Sequence, residues 1–112
     1  MKDDAKNDFL KGSLDLLILK VVKYGPIHGY AVTQRIQQIS RDFFQVPQGS
    51  LYPALHRLED RGWIAAEWKT SETGREAKFY SLTRKGQKQL EAEIHHWERF
   101  SGAVALILRA TD

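Results

Sequence analysis

The sequence contains no cysteine, which excludes disulfide bonds and thiolate metal sites and suits a reducing compartment. It also lacks a long apolar stretch, because Lys20 interrupts the longest early run, residues 16–22, which is too short to cross a bilayer. It shows no glycine-rich phosphate loop, no nucleophile–histidine–acid spacing and no pair of buried carboxylates that can be placed. We therefore predict a cytoplasmic protein that is not an enzyme, needs no cofactor and does not associate with a membrane.

The composition is that of an ordinary globular domain. Of the 112 residues, 42% are apolar and 28% are charged, which provides enough apolar chain for one modest core. The formal net charge of +3 gives the chain a mild preference for polyanions such as nucleic acid. Because many basic proteins bind no polyanion, the net charge alone does not predict such a partner, and the arrangement of the residues decides.

Residues 48–62 predict a short helix with one apolar and one polar face. The apolar stripe follows the helical spacing i, i+3, i+4, i+7 and consists of Leu51, Ala54, Leu55 and Leu58. The polar face lies near a helix N-terminus, whose dipole favours phosphate, and the major groove of DNA admits such a helix. An ordinary amphipathic surface helix would show the same pattern, so the segment alone leaves both interpretations open.

The ends of this helix are set by proline and glycine. Pro53 fits only in a first turn, because it lacks an N–H group and clashes with the preceding turn. The helix should therefore begin near Gly49 or Ser50, with the Ser50 hydroxyl as the N-cap. Gly62 should end it, as glycine commonly does just past a helix.

Two helices are predicted before this segment. Residues 1–12 read as a partly helical leader, and a central buried helix opens at Gly12 or Ser13 and stops at residues 24–26. A second helix covers residues 28–39.

A hairpin and a long helix are predicted after it. Residues 63–69 and 78–82 alternate loosely around a polar, glycine-bearing tip, which indicates two strands of a β-hairpin. Thr83 then caps a last helix over residues 84–110. This order predicts a mainly α fold with a two-stranded hairpin: a winged helix-turn-helix in residues 1–82, and a C-terminal dimerisation helix in residues 83–112 of the same compact unit.

The last helix carries an apolar stripe that so small a domain cannot bury alone. Its final turns, residues 103–108, are apolar nearly all round, and exposed they would exceed the patch that soluble monomers usually tolerate. We therefore predict a two-fold homodimer. The predicted contact residues are Phe9, Leu10, Leu90, Ile94, Trp97, Phe100, Val104, Ile107 and Leu108. Trp97 has two interpretations, plain dimer core or one wall of a flat pocket for a small aromatic or hydrophobic effector.

The predicted DNA contacts come from three places. They are Ser50, Tyr52, Pro53, His56 and Arg57 in the short helix, Tyr30 and Gln34 in the helix before it, and Lys69, Arg75 and Lys78 at the hairpin tip. Arg57 could read guanine or hold a phosphate. Tyr30 could instead pack in the core, and the Tyr52 ring could pack while only its hydroxyl reaches a phosphate. A charged tip is also what any soluble hairpin shows.

The four histidines do not predict a metal site. His95 and His96 are adjacent and point about 100° apart on a helix, so they cannot easily share one ion. Glu93 and His96 form a Glu-x-x-His, but carboxylate-bridged sites need that motif twice. We expect His28 to cap or pack at its turn and predict no metal.

Three motifs give the chain a resemblance to a known family. They are Gly25-Pro26-Ile27-His28-Gly29-Tyr30, the run Gly49-Ser50-Leu51-Tyr52-Pro53-Ala54-Leu55-His56-Arg57-Leu58-Glu59 with Gly62, and Gly74-Arg75 followed by Lys78, Tyr80, Leu82, Thr83 and Gly86. With them the chain resembles PadR-family transcriptional regulators, of the short type with a single C-terminal dimerisation helix. The resemblance implies a homodimeric winged-helix repressor that binds a palindromic double-stranded DNA operator and is released by a small molecule or another signal. One departure is Glu76-Ala77 after the glycine–arginine pair, where more basic residues would favour phosphate binding.

A second hypothesis keeps the same fold but gives it a protein partner in place of DNA. A winged helix can also hold a protein partner, and the net charge of +3 is low enough to keep this alternative open. The two hypotheses differ in salt dependence, because binding to duplex DNA weakens steeply as salt rises.

Overall fold

The fold is given by a computed structural model that describes residues 2–70 and 72–111, with side chains from residue 10 onward except residue 11. The elements are α1 (Lys2–Val22), β1 (Ile27–His28), α2 (Gly29–Ile39), α3 (Gln48–Asp60), β2 (Ile64–Thr70), β3 (Glu76–Leu82) and α4 (Arg84–Arg109). The prediction of a mainly α fold with a hairpin and a long last helix is confirmed. No helix among the described residues is both long enough and apolar enough to span a bilayer.

The first helix is longer than predicted. It runs without a break from Lys2, so the boundary predicted at Gly12 or Ser13 is wrong, and Gly12 lies inside the helix. Leu10 and Leu14, one turn apart, are both buried, and this shared burial continues the helix across the glycine. A local sequence pattern does not show that burial, because its partners come from later elements.

Two helix starts follow the predicted chemistry. The Thr83 hydroxyl accepts a hydrogen bond from the Gly86 N–H at 2.9 Å and so caps α4. At the start of α2, the Nδ1 atom of His28 accepts one from the Ala31 N–H at 3.3 Å. His28 is therefore a capping residue, as expected.

The sheet has one strand more than predicted. β2 and β3 form the expected antiparallel hairpin, and β1 joins the free edge of β3 in the order β1-β3-β2. Ile27 pairs with Tyr80 and His28 with Phe79. A strand of two residues shows no periodicity, so the sequence did not reveal it. It ties the turn before α2 to the hairpin of β2, β3 and the tip between them, which is called the wing below, and α2 is thereby fixed against the wing.

The core lies between the first three helices, the first turns of α4 and the sheet. No polar or charged residue is buried among the described residues. The largest fully buried side chains are Ile18, Leu19, Leu51, Leu55, Leu58, Ile64, Leu90, Val22 and Val32. The predicted stripe of α3 is entirely within this core, so its opposite side is available at the surface.

Candidate nucleic-acid interface

The α3 helix begins earlier than the sequence predicted. It starts at Gln48, and Pro47 is its N-cap, with no side chain capping it. The Pro47 carbonyl accepts from the N–H groups of Ser50 and Leu51, both at 3.0 Å, and this turn opens the helix. The prediction of the Ser50 hydroxyl as N-cap is therefore wrong. Pro53 lies in the sixth position of the helix, on its exposed side.

The end of α3 follows the glycine rule. Gly62 has φ of +75°, and its N–H donates to the Glu59 carbonyl at 2.9 Å, while the Trp63 N–H donates to the Leu58 carbonyl at 3.1 Å. This pair of bonds is a Schellman motif, which satisfies the last carbonyls of the helix. The turn leads directly into β2, so the wing stands beside α3.

The outward side of α3 is polar and carries its acidic residues at one end. Gly49, Pro53, His56 and Asp60 are exposed and recur at helical spacing opposite the buried stripe. Glu59 and Asp60 are the only carboxylates of the helix, and both lie in its last turn. The first half of α3 therefore combines a positive helix end with an absence of negative side chains.

One flank of α3 packs on α2. A Cβ atom on Gly29 would lie 3.1 Å from Cε1 and 3.3 Å from the hydroxyl of Tyr52. The tyrosine ring thus covers the glycine at the start of α2, and the side chain keeps 39% of its surface exposed. Tyr52 is partly a packing residue, with its hydroxyl beside the N-terminus of α2.

The other flank of α3 is joined to α1 by an ion pair. Nη2 of Arg57 lies 2.5 Å from Oδ1 of Asp15. The arginine side chain is 45% exposed and the aspartate side chain is 26% exposed. Arg57 is thus at the surface, as predicted, but it is fixed by a partner that the sequence did not reveal.

The predicted α2 contacts lie on the surface. Tyr30 is 53% exposed, so the core-packing alternative for this residue is wrong. Gln34 is also exposed and follows Tyr30 by four residues, which places both on one side of α2. Tyr30 is the second residue of its helix, beside the glycine that Tyr52 covers.

The three wing cations are in three different environments. Arg75 is exposed in the tip between the strands. Lys69 pairs with Glu67 on its own strand at 3.6 Å, and its Nζ lies 6.0 Å from the centre of the Phe79 ring. The prediction of Lys78 as a tip residue is wrong. Its Nζ donates to Oε1 of Glu59 at 3.2 Å, because the third residue of β3 faces the end of α3.

Lys78 supplies a first testable prediction. The hydrogen bond that Lys78 donates to the Glu59 carboxylate raises the pKa of Lys78 above its ordinary value. Because the folded-state pKa is the raised one, the pair stabilises the fold below the ordinary lysine pKa and loses this effect as pH rises through the raised pKa. We expect Glu59→Gln to lower the pKa of Lys78 in an NMR titration of its ammonium group. An unchanged pKa would mean that the pair does not persist in solution.

The far end of α4 presents an uncovered apolar side. Phe100, Val104, Ile107 and Leu108 are 62%, 38%, 75% and 79% exposed, and Trp97 is 49% exposed. These residues follow the predicted stripe, and the described residues of the chain do not cover them.

Three of the predicted dimer contacts do not belong to that uncovered side. Leu10 is 5% exposed and Leu90 is fully buried within the chain, so neither can reach a second subunit and both predictions are wrong. The physical reason is that α1 and the first turns of α4 pack on each other. Ile94 is half-buried and packs against the same core. The side chain of Phe9 lies outside the described residues.

A groove lies beside this stripe, between α1, the loop before α3 and α4. Its volume is about 1100 Å³. Its apolar lining consists of Leu16, Phe43, Phe44, Trp97 and Phe100, and Glu93 and His96 also line it. Among the described residues, no three histidine or acidic side chains gather into a metal site.

Comparison with known proteins decides the family. The model of the transcriptional regulator PadR-like family matches residues 18–92, which include α2, α3, the wing and the start of α4. The chain belongs to this family. It is a transcriptional regulator and not an enzyme, as the sequence predicted.

Individual PadR-like proteins agree with this assignment. The transcriptional regulator Rv3488 of Mycobacterium tuberculosis is 34% identical over 97 residues, covering 87% of this chain and 87% of that protein. The negative transcriptional regulator PadR of Bacillus subtilis is 30% identical over 84 residues, covering 75% of this chain and 44% of that longer protein. The crystal structure of a PadR-like transcriptional regulator from Bacillus cereus superposes with a TM-score of 0.80 at 31% identity, covering 93% of this chain and 99% of that one.

Sequence reasoning missed the acidic partners in this PadR-like chain. Asp15 and Glu59 each hold a predicted DNA-contact cation, at separations of 42 and 19 residues. No spacing rule joins residues so far apart, and only the packing of α1 and β3 against α3 brings them together. The sequence therefore carried no local signal for either ion pair.

Proposed function

We propose that this PadR-like regulator binds operator DNA as a homodimer, with the first half of α3 in the major groove and the wing beside it. The observation that carries the proposal is the outward side of α3. It is exposed and polar, it begins at a helix N-terminus, and it has no carboxylate before Glu59. On this basis residues 1–82 form the DNA-binding part and residues 83–112 the dimerisation helix.

The dimer is supported by the uncovered stripe of α4. A two-fold contact along Trp97, Phe100, Val104, Ile107 and Leu108 would bury apolar side chains that are 38–79% exposed in one chain. Such a dimer presents two copies of α3, about 34 Å apart for two half-sites one turn of DNA apart. The operator should therefore be an inverted repeat.

The proposal includes two further points, repression of transcription and binding of a small hydrophobic effector. The Bacillus subtilis relative is named a negative regulator, and we extend repression to this chain by that similarity. A regulator that binds DNA in a bacterial cell would act in the cytoplasm. We assign Trp97 first to the dimer core, because its exposed ring continues the α4 stripe. A flat hydrophobic effector in the neighbouring groove is the secondary proposal for this residue.

The proposal is tested by selecting bound sequences from random duplex DNA and footprinting the dimer on the selected site. Affinity should fall steeply as salt rises, because Lys and Arg side chains release counterions from the phosphates. A protein-interaction module would enrich no sequence and protect no site.

Replacing Arg57 with alanine should weaken binding to the selected operator by about 1–3 kcal/mol if the guanidinium reads a base. Fluorescence anisotropy on operator and scrambled duplexes measures the change. Arg61→Ala is the matched control, because it removes the same charge just past α3, where the Arg61 guanidinium lies 5.0 Å from the centre of the Trp63 ring. An equal loss for both variants would assign Arg57 to general attraction and not to base reading.

A further inference from the structure

The ion pair between α1 and α3 involves a cation that no other residue of α3 can replace. Because α3 is the helix proposed to enter the major groove, it is called the recognition helix below. Arg57 is the only lysine or arginine in α3. Its carboxylate partner, Asp15, belongs to a different helix and lies 42 residues earlier in the chain. The single permanent positive charge of the recognition helix is therefore held by a residue outside it.

Asp15 is firmly placed. The neighbouring residues Leu14 and Ile18 are 5% and 0% exposed, so this part of α1 is anchored in the core. The Asp15 side chain is 26% exposed, which leaves its carboxylate on the rim between α1 and α3. An arginine bound to a fixed carboxylate loses much of the rotamer freedom that an unpaired surface arginine keeps.

The pair leaves the guanidinium able to bind DNA. A guanidinium has five N–H donors in a planar fork, and the bond to Asp15 uses Nη2. The Arg57 side chain is 45% exposed, so the remaining donors have access to the surface of α3. The carboxylate thus orients the fork without occupying it.

We propose that Asp15 is a positioning residue for DNA recognition, which fixes the Arg57 guanidinium for its contact and so sets the discrimination between operator and other DNA. This inference rests on the proposed function. The pair is neutral as a whole, so it adds little to the general attraction of the protein for phosphates. Its effect falls on the oriented contact, where each wrong rotamer of a free arginine would weaken specific binding.

The test is a double-mutant cycle on the full chain, with Asp15→Ala, Arg57→Ala and both together. Each variant is measured on the selected operator and on a scrambled duplex. Asp15→Ala should weaken operator binding by about 5-fold, a coupling of the size that contacting residues show. It should leave scrambled-DNA binding equal or stronger, because the net charge rises by one. In the Arg57→Ala background, the Asp15 change should not weaken binding to the operator, and the added charge leaves this binding equal or stronger.

Two further variants separate positioning from folding and from charge. Asp15→Asn keeps an acceptor oxygen, so its operator affinity should lie between those of wild type and Asp15→Ala. Glu91→Gln raises the net charge equally on α4, where Glu91 accepts from Gln87 far along the chain from α3, and should not change discrimination.

Each outcome has one meaning. Stronger operator binding by Asp15→Ala would show that the carboxylate withholds Arg57 from DNA, and would overturn the proposal. If Asp15→Ala lowers operator affinity equally in the wild-type and Arg57→Ala backgrounds, the role of Asp15 is purely structural. This result would overturn the proposal as well. If the wild type prefers the operator over the scrambled duplex and Asp15→Ala shows the same preference, only this inference is overturned. A wild type that prefers no sequence overturns the proposed function and this inference with it.

Discussion

Replacing Gly86 with alanine will lower the free energy of unfolding by about 3 kcal/mol or more. A Cβ atom at this position would lie 1.8 Å from the Trp63 carbonyl oxygen and 2.8 Å from Cδ1 of Leu82. The obstacle at 1.8 Å is backbone, so it cannot move aside as the end of a side chain can. The same carbonyl accepts from the N–H and hydroxyl of Thr83, both at 3.1 Å, so moving it would also disturb the start of α4.

The sign of the Gly86 effect is itself informative. In an exposed helix interior, alanine is more favourable than glycine by about 1 kcal/mol. Gly102→Ala is the matched control, because it makes the same change in the same helix at a position with no atom within 4 Å of the added carbon. We expect Gly102→Ala to be neutral or stabilising.

Thermal unfolding at one fixed protein concentration measures both changes, since the apparent stability of a dimer depends on concentration. The melting temperature of Gly86→Ala should fall by about 10 °C or more. If Gly86→Ala melts at the same temperature as Gly102→Ala, the close approach of α4 to Trp63 is not present in solution.

Replacing Val104 with glutamate will dissociate the proposed dimer, with a dissociation constant at least about 100-fold higher, because an unpaired buried charge costs several kcal/mol. The two-fold symmetry places the substitution in the contact twice. At about 100° per residue, Val104 lies about 40° around α4 from Leu90, which is fully buried. It is therefore on the side of α4 that continues the core into the predicted contact.

Leu106→Glu is the matched control for the dimer. Leu106 is 72% exposed in the same turn, but it lies about 160° around the helix from Leu90. Sedimentation velocity over a range of concentrations should show a monomer for Val104→Glu and a dimer for Leu106→Glu. Operator affinity should fall with the first substitution only. If Val104→Glu remains a dimer, the subunit contact is not on this stripe.

Some elements of this protein could be predicted because their signals are local. The hairpin was evident from two short alternating segments around a tip that contains Gly74, and the start of α4 from Thr83, a residue type that commonly caps helices. The stripe of α3 was evident from spacing alone, since four apolar residues on one side of a short helix require a core.

The two wrong boundaries have different causes. The long α1 depends on the burial of Leu10, which only the packed structure provides. There the local preference was small against the free energy of packing, so the tertiary structure decided the boundary. The start of α3 follows from a local contact, because the Pro47 carbonyl accepts from the Ser50 and Leu51 N–H groups and so places Ser50 inside the helix.

The sequence by itself determined the family, the order of the elements and which side of α3 faces outward, because motif identity and hydrophobic period are properties of neighbouring residues. Only the tertiary structure decided which surface cations are free. Arg57 is held by Asp15 and Lys78 by Glu59, while Arg75 stays exposed at the tip of the wing. The physical reason is that an ion pair forms over a few ångströms in space, and the folding of helices and strands sets that distance without regard to separation along the chain.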